Sequence, residues 1–135
     1  MDKLLVDTNI VLDLLTRREE FYKEAQDLFT LSDKGQVELY ISSLTLANTY
    51  YLISRQFKAS EARKILIRFK VLVKVLAMDD KIMELALASD FNDFEDAIQY
   101  YTAIENNLNI IITRNKKDFK LASIPVFSAK EYLAK

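Results

Sequence analysis

Asp7 stands at an abrupt junction. Three apolar residues, Leu4-Leu5-Val6, precede it, and Thr8-Asn9 follow, after which Ile10, Val11, Leu14 and Leu15 recur at helical spacing. The triplet reads as a strand buried on both faces, and Thr8 and Asn9 belong to the residue types that cap helices. An acid at such a junction lies at the carboxyl end of its strand, where open parallel α/β sheets hold ligands. Capping falls to Thr8 or Asn9 in this reading, which leaves Asp7 for chemistry. A second group, Asp90-Phe91-Asn92-Asp93-Phe94-Glu95-Asp96, sets four carboxylates in seven residues ahead of a helix from about Phe94 to Asn107. One or two acids at a helix start gain about 0.3–1 kcal/mol each from the macrodipole. Four together repel, and a bound cation is the usual remedy. A third group, Thr113-Arg114-Asn115-Lys116-Lys117-Asp118-Phe119, leaves the apolar run Ile110-Ile111-Ile112 with an acid, an amide and three basic side chains.

Composition narrows the chemistry further. The 135 residues contain neither cysteine nor histidine, so thiolate nucleophiles, disulfides, imidazole bases and the commonest zinc ligands are excluded. Gly35 is the single glycine, and no phosphate-binding loop or dinucleotide fingerprint can be written with one. Carboxylates holding a hard ion such as magnesium or manganese are the simplest apparatus left. With half its residues apolar and one proline, the chain reads as one domain over residues 1–135, without linker or repeat. No apolar stretch approaches the ~20 residues of a membrane span and no signal-peptide pattern opens the chain, so a cytoplasmic protein is expected.

The elements that must position these groups follow from periodicity. A charged turn, Arg17 to Glu20, leads into an amphipathic helix from Phe21 to about Asp33, which Lys34-Gly35-Gln36 stops. Val37 to Ile41 reads as a strand, followed by a helix from Ser42-Ser43 with Leu44, Ala47, Tyr51 and Leu52 inward and Asn48 one turn in. Ala59 to Phe69 is a helix whose Lys58, Arg63, Lys64, Arg68 and Lys70 form a solvated face. Val71 to Leu76 is a strand and Asp79 to Ser89 a helix. The acidic helix, the strand Asn109 to Thr113, a short strand at Pro125 to Phe127 and a helix from Ser128 to Leu133 complete the pattern. Strands alternating with helices argue a parallel sheet covered on both faces. In such a sheet, strand ends on one side share a cleft. Asp7, Glu95 or Asp96, and Asp118 are therefore expected to converge. Carboxylates holding one or two divalent ions generate hydroxide from bound water and neutralise charge on a phosphate, which suits phosphodiester hydrolysis.

Four stretches together resemble a known family. Leu5-Val6-Asp7-Thr8-Asn9-Ile10, Ser42-Ser43-Leu44-Thr45-Leu46-Ala47-Asn48, Asp93-Phe94-Glu95-Asp96-Ala97-Ile98-Gln99 and Ile112-Thr113-Arg114-Asn115-Lys116-Lys117-Asp118-Phe119 look like the four motif blocks of PIN domains, in order and across nearly the whole chain. The resemblance implies a three-layer α/β sandwich with a central parallel sheet of four to five strands. It also implies a Mg2+- or Mn2+-dependent ribonuclease, of the kind often found as a VapC-type toxin paired with an antitoxin and as a homodimer. Carried over by position, Asp7, Asp96 and Asp118 are the catalytic and metal-binding acids, with Glu95 assisting Asp96. Asn9, Asp93, Thr113 and Asn115 are supporting residues. The second block usually holds a glutamate where this chain has Asn48, an amide that can ligate through oxygen but brings no charge. That departure bears on activity, not on fold.

Two other readings compete. A haloacid-dehalogenase-type phosphatase also places an Asp after its first strand, but needs a second Asp where this chain has Asn9. A binding or regulatory module that keeps the fold with little chemistry is favoured by Asn48. A net charge of −1 and a pI near 5.5 give no global attraction for nucleic acid, so RNA contact would rest on local residues, Arg114, Lys116, Lys117 and Lys120 foremost. Tyr50, Tyr51, Tyr100 and Tyr101 could stack on bases, although tyrosines at helical spacing more often belong to a core.

Overall fold

The computed structural model describes all 135 residues, Met1–Lys135. Five strands, β1 (Lys3–Val6), β2 (Glu38–Ser42), β3 (Lys74–Leu76), β4 (Ile110–Ile112) and β5 (Val126–Phe127), form one sheet. Its order is β3-β2-β1-β4-β5, with every pairing parallel. Seven helices accompany it: α1 (Thr8–Leu15), α2 (Tyr22–Asp33), α3 (Ser43–Ile53), α4 (Ala59–Phe69), α5 (Asp80–Ala88), α6 (Phe94–Glu105) and α7 (Ala129–Leu133). The expected α/β sandwich with a parallel sheet of four to five strands is present, with five.

The pleat sorts each strand between two layers. Leu4, Val6, Leu39, Ile41, Ile110 and Ile112 point to one face and join Ile10, Val11, Leu28, Phe29 and Ala129 from α1, α2 and α7. Leu5, Tyr40 and Ile111 point to the other and join Tyr100 and Ala103 of α6 and Phe119. Leu5 and Ile111 are paired in register and fully buried, each worth about 1.5–3 kcal/mol over exposure. Two further clusters tie the outer helices together: Leu12, Ile53, Ala62 and Leu66 join α1, α3 and α4, while Ile82, Ala86, Ala97 and Ile98 join α5 and α6.

Helix ends explain where the chain turns. Gly35 sits at φ +72 after α2; its N–H donates to Ser32 and that of Gln36 to Leu31, closing the last turn in the left-handed form that glycine adopts without a steric cost. Asn107, at φ +57, ends α6 by the same pattern through Ile104 and Ala103.

Three expectations are corrected. The strand from Val71 is shorter, because Lys70–Leu72 form a 3-10 turn and β3 begins only at Lys74. The inner face of α3 is Thr45, Thr49 and Ile53, while Ala47, Tyr51 and Leu52 are exposed; the buried threonines face polar neighbours described below, which apolar periodicity does not detect. Asp7 itself caps α1, its carboxylate accepting the Thr8 N–H at 2.8 Å. Thr8 and Asn9 are already inside the helix.

Candidate active site

Asp7 ends β1 and Thr113 follows β4, the two central strands between which the strand order reverses. Ligands of open parallel sheets bind outside the carboxyl ends of strands at such a point. A cleft of about 560 Å³ opens there, lined by Asp7, Thr8, Asn9, Leu12, Asn48, Tyr51, Leu52, Asp93, Glu95, Asp96, Gln99, Asn115 and Asp118. All four expected acids, Asp7, Glu95, Asp96 and Asp118, therefore share one cavity.

Each acid is held differently. Asp7 is 8% exposed, and both its oxygens are engaged. Oδ1 accepts from the Thr8 N–H at 2.8 Å and from Gln99 Nε2 at 3.3 Å, and Oδ2 accepts from Thr113 Oγ1 at 2.7 Å. Burial pushes its pKa up, the three donors oppose that, and Asp118 adds a small upward contribution. Asp93 caps α6, its Oδ1 accepting the Asp96 N–H at 3.0 Å, so one of the four crowded acids does have a capping role. Asp96 stands in the first turn of α6, half-buried. Desolvation first, then Asp93, Asp7, Asp118 and Glu95, push its pKa up to about 7. Glu95 accepts a hydrogen bond from Asn48 Nδ2 at 3.0 Å. Asp90 is exposed and is not part of the cleft.

As the side chains stand, no three carboxylates meet in a single coordination shell. Asp7 is locked, so closing a shell around an ion would require movement of Asp96 and the exposed Glu95 and Asp118. The donor set itself fits a hard cation: carboxylates with Asn9, Asn48 and Asn115 as amides. Asn9 Oδ1 is buried without a hydrogen-bond partner, an acceptor still open at this wall.

The turn after β4 is built from the same kind of contacts. Thr113 is buried, donates to Asp7 and accepts the Asn115 N–H at 3.1 Å. Arg114 points away from the cleft. Its Nε and Nη2 donate to both oxygens of Asp13 at 2.9 and 3.2 Å, and its guanidinium lies 3.9 Å from the centroid of the Phe21 ring. Two of its donors are thus committed to a buried acid, a structural role that competes with the expected RNA contact. Lys116 pairs with Glu131 at 2.9 Å. Lys117 is exposed and makes no salt bridge within the chain. Lys58, Arg63, Lys64, Arg68 and Lys70 along α4 are all exposed, as the solvated-face reading requires. Of the tyrosines, Tyr100 is buried, Tyr50 and Tyr101 are half-buried, and Tyr51 is 69% exposed at the cleft rim.

A family model described as PIN domain matches residues 3–117 of this sequence, the span that carries every residue of the cleft except Asp118. The chain belongs to the PIN domain family. It is 27% identical over 139 residues to the protein named Ribonuclease VapC1 of Aquifex aeolicus (strain VF5), the match covering 97% of this chain and 93% of that one. Among solved structures, it resembles a toxin–antitoxin complex from Klebsiella pneumoniae at 26% identity and TM-score 0.70, covering 93% of this chain and 97% of that one. DNA-bound VapBC from Salmonella typhimurium matches at TM-score 0.72 and 18% identity, over 96% and 99% of the two chains, a likeness of fold.

The PIN fold places the four motif blocks at one edge of the sheet, and three buried polar residues inside it escape apolar periodicity. Asp13 is 1% exposed in α1; an acid within Val11-Leu12-Asp13-Leu14-Leu15 was the available signal, since such a residue demands a cation. Gln99 is one turn beyond Asp96 on α6 and 3% exposed; its spacing from Asp96 was the signal. Thr45, fully buried in α3, carried none, because a threonine at a helix start reads as a cap.

Proposed function

We propose that this chain is a divalent-metal-dependent endoribonuclease and the toxin half of a toxin–antitoxin pair. The observation that carries this reading is the convergence of Asp7, Asp93, Glu95, Asp96 and Asp118 on one cleft at the switch point of the sheet. Desolvation together with crowding by neighbouring carboxylates pushes the Asp96 carboxyl up to about 7, the electrostatic mark of a site suited to a cation. The name of the Aquifex relative supports the substrate class, and that of the Klebsiella neighbour supports a protein partner. No helix is long and apolar enough to cross a membrane, which fits a cytoplasmic RNA as substrate. We take the 135 residues as one domain, acting as a homodimer.

Asp7, Asp96 and Asp118 would hold Mg2+ or Mn2+, with Glu95 beside Asp96 and the amide oxygens of Asn9, Asn48 and Asn115 within the same wall. When bound, the ion supplies hydroxide at neutral pH and offsets charge on the scissile phosphate. The chain does the rest. Gln99, Thr113 and the Thr8 N–H hold the Asp7 carboxylate through both its oxygens, so its orientation is fixed before an ion binds. Lys117, free of any internal partner, is the cation of the turn best able to meet the RNA backbone, while Lys116 must first leave Glu131. Tyr51 offers an exposed ring at the cleft rim on which a base can stack.

The test is incubation of the purified protein with structured and unstructured RNAs in Mn2+, Mg2+ and EDTA. Cleavage that needs the metal supports the reading; an intact RNA panel in both metals rejects it. One observation favours the alternative, a PIN-fold binding module with weak chemistry: Asn48 contributes no charge and already holds Glu95. Asn48→Glu separates the two. An ion-limited nuclease should bind Mn2+ roughly tenfold more tightly in this variant and cleave faster, as expected when an oxygen ligand gains charge. Tighter binding without any cleavage would favour the module.

A further inference from the structure

The hydrogen bonds beneath Asp7 define a direction. Gln99 Nε2 lies 3.3 Å from Asp7 Oδ1 and 2.7 Å from Thr45 Oγ1. The nitrogen, not the oxygen, must face the carboxylate, because two oxygens at that separation would repel. Both amide protons are then spent, one on Asp7 and one on Thr45. Ser42 Oγ, which accepts the Thr45 N–H at 3.0 Å, donates its own proton to Thr45 Oγ1 at 3.3 Å. Thr45 Oγ1 thus accepts twice, the capacity of a hydroxyl. Its remaining contact is Thr8 Oγ1 at 3.0 Å, and there it can only donate. Thr8 Oγ1 is consequently an acceptor from below, and no other side chain is hydrogen-bonded to it. Its proton has one direction left, into the cleft that Thr8 lines beside Asp7.

We propose that Gln99 is a positioning residue that fixes Asp7 and, by filling the Thr45 oxygen, turns the Thr8 hydroxyl proton into the cleft as a donor to a phosphate oxygen of the RNA backbone. This rests on the ribonuclease reading and adds two residues to it. Thr8 is the one aliphatic hydroxyl of the cleft, whose other lining groups are acids, amides, apolar side chains and the Tyr51 phenol at its rim. Without Gln99, Thr45 has a vacant lone pair, Thr8 can turn back to fill it, and the donor is lost while the backbone stays in place.

The test combines Thr8→Val, Thr8→Ser, Gln99→Met and the double variant Thr8→Val/Gln99→Met, each checked by thermal melting for folding. Two quantities are measured: Mn2+ affinity by titration calorimetry, and kcat/KM on a fluorescein-labelled RNA hairpin with single-stranded flanks. Thr8→Val should lower kcat/KM roughly 10–100-fold, the range of a hydrogen bond to a charged group, with Mn2+ affinity within threefold of the starting protein. Thr8→Ser should restore cleavage. Gln99→Met should weaken Mn2+ binding several-fold, through Asp7, and lower cleavage as well. In the Gln99→Met background, Thr8→Val should cost less than threefold. The proposal is overturned if Thr8→Val loses as much in both backgrounds, if Thr8→Ser fails to rescue, or if Gln99→Met binds Mn2+ as tightly as the unaltered chain. Should the unaltered protein cleave no RNA, the ribonuclease reading fails and affinity for the same labelled RNA in Ca2+, by anisotropy, decides this one: equal affinity with and without the Thr8 hydroxyl overturns it.

Discussion

Asp96→Asn should abolish metal-dependent RNA cleavage and, at the same time, stabilise the metal-free protein at pH 8. The first effect follows from the proposed role of Asp96: losing charge stabilisation of several kcal/mol in the transition state corresponds to roughly a thousandfold in rate. The second follows from the desolvation of Asp96 and its crowding by other carboxylates. The folded protein holds the Asp96 proton up to about pH 7, whereas an unfolded chain releases it near the model value of 3.8. Between those values the folded state binds more protons, so stability falls as pH rises and is lowest above 7, where Asp96 is charged beside Asp93, Asp7 and Asp118. Asparagine removes that repulsion. Because the side chain is half-exposed, solvent screening leaves a gain of about 1 kcal/mol, or roughly 3–5 °C in Tm. At pH 5, where Asp96 is protonated in the folded protein but largely ionised in the unfolded chain, the difference should shrink to roughly a third, and it should vanish only near pH 3.8. Mn2+ should reverse the order at pH 8 by binding only the protein with the acid. Thermal melts at both pH values, with and without Mn2+, check all of this, and a lower Tm of metal-free Asp96→Asn at pH 8 would sink it.

Asp7→Asn makes the useful contrast. It should lose cleavage to a similar degree but also lose stability. An asparagine keeps one acceptor oxygen where the carboxylate serves three donors: turned to keep Thr8 and Gln99 it leaves the Thr113 proton without its acceptor, and turned to keep Thr113 it sets its amide against Gln99 as donor against donor. An unsatisfied buried group costs about 1–3 kcal/mol. Two acids of one cleft are thus expected to respond oppositely in stability, since one is held by donors and the other crowded by charges.

Arg114→Ala should destabilise the fold by roughly 2–4 kcal/mol, as breaking a buried pair from one side does. Asp13 is 1% exposed and retains only Arg18, at 3.6 Å from an exposed side chain. Burial already pushes the Asp13 pKa up in spite of Arg114 and Arg18; without Arg114 it goes higher. The penalty should therefore be larger at pH 8 than at pH 5, where protonation relieves the charge. Urea denaturation at both pH values measures it. The double variant Asp13→Leu/Arg114→Met should recover much of the loss, because an apolar pair leaves no buried charge behind. A loss below about 0.5 kcal/mol, together with weakened RNA binding, would return Arg114 to the role of phosphate contact.

These cases show where sequence reading reached its limit. Strand and helix identities were legible because buried parallel strands are apolar runs, as in Leu4-Leu5-Val6 and Ile110-Ile111-Ile112, and because covering helices repeat apolar residues every three to four positions. The acidic cleft was legible because strand-end geometry is common to parallel sheets: acids after β1 and β4 and at the start of α6 had to meet. Tertiary structure decided what periodicity cannot carry. Whether Asp7 caps a helix or faces a cleft had no single answer, since it accepts the Thr8 N–H and lines the cleft at once. Arg114, one residue from Thr113, turns to Asp13 because a buried acid in α1 needs a cation. The inner face of α3 is polar because Thr45 answers Gln99 across 54 residues of sequence. Hydrogen bonds between distant segments are set by distances that only the folded chain establishes, and so Asp7, whose acid the sequence singled out, owes its orientation to Gln99 and Thr113, which sequence spacing alone did not bring to it.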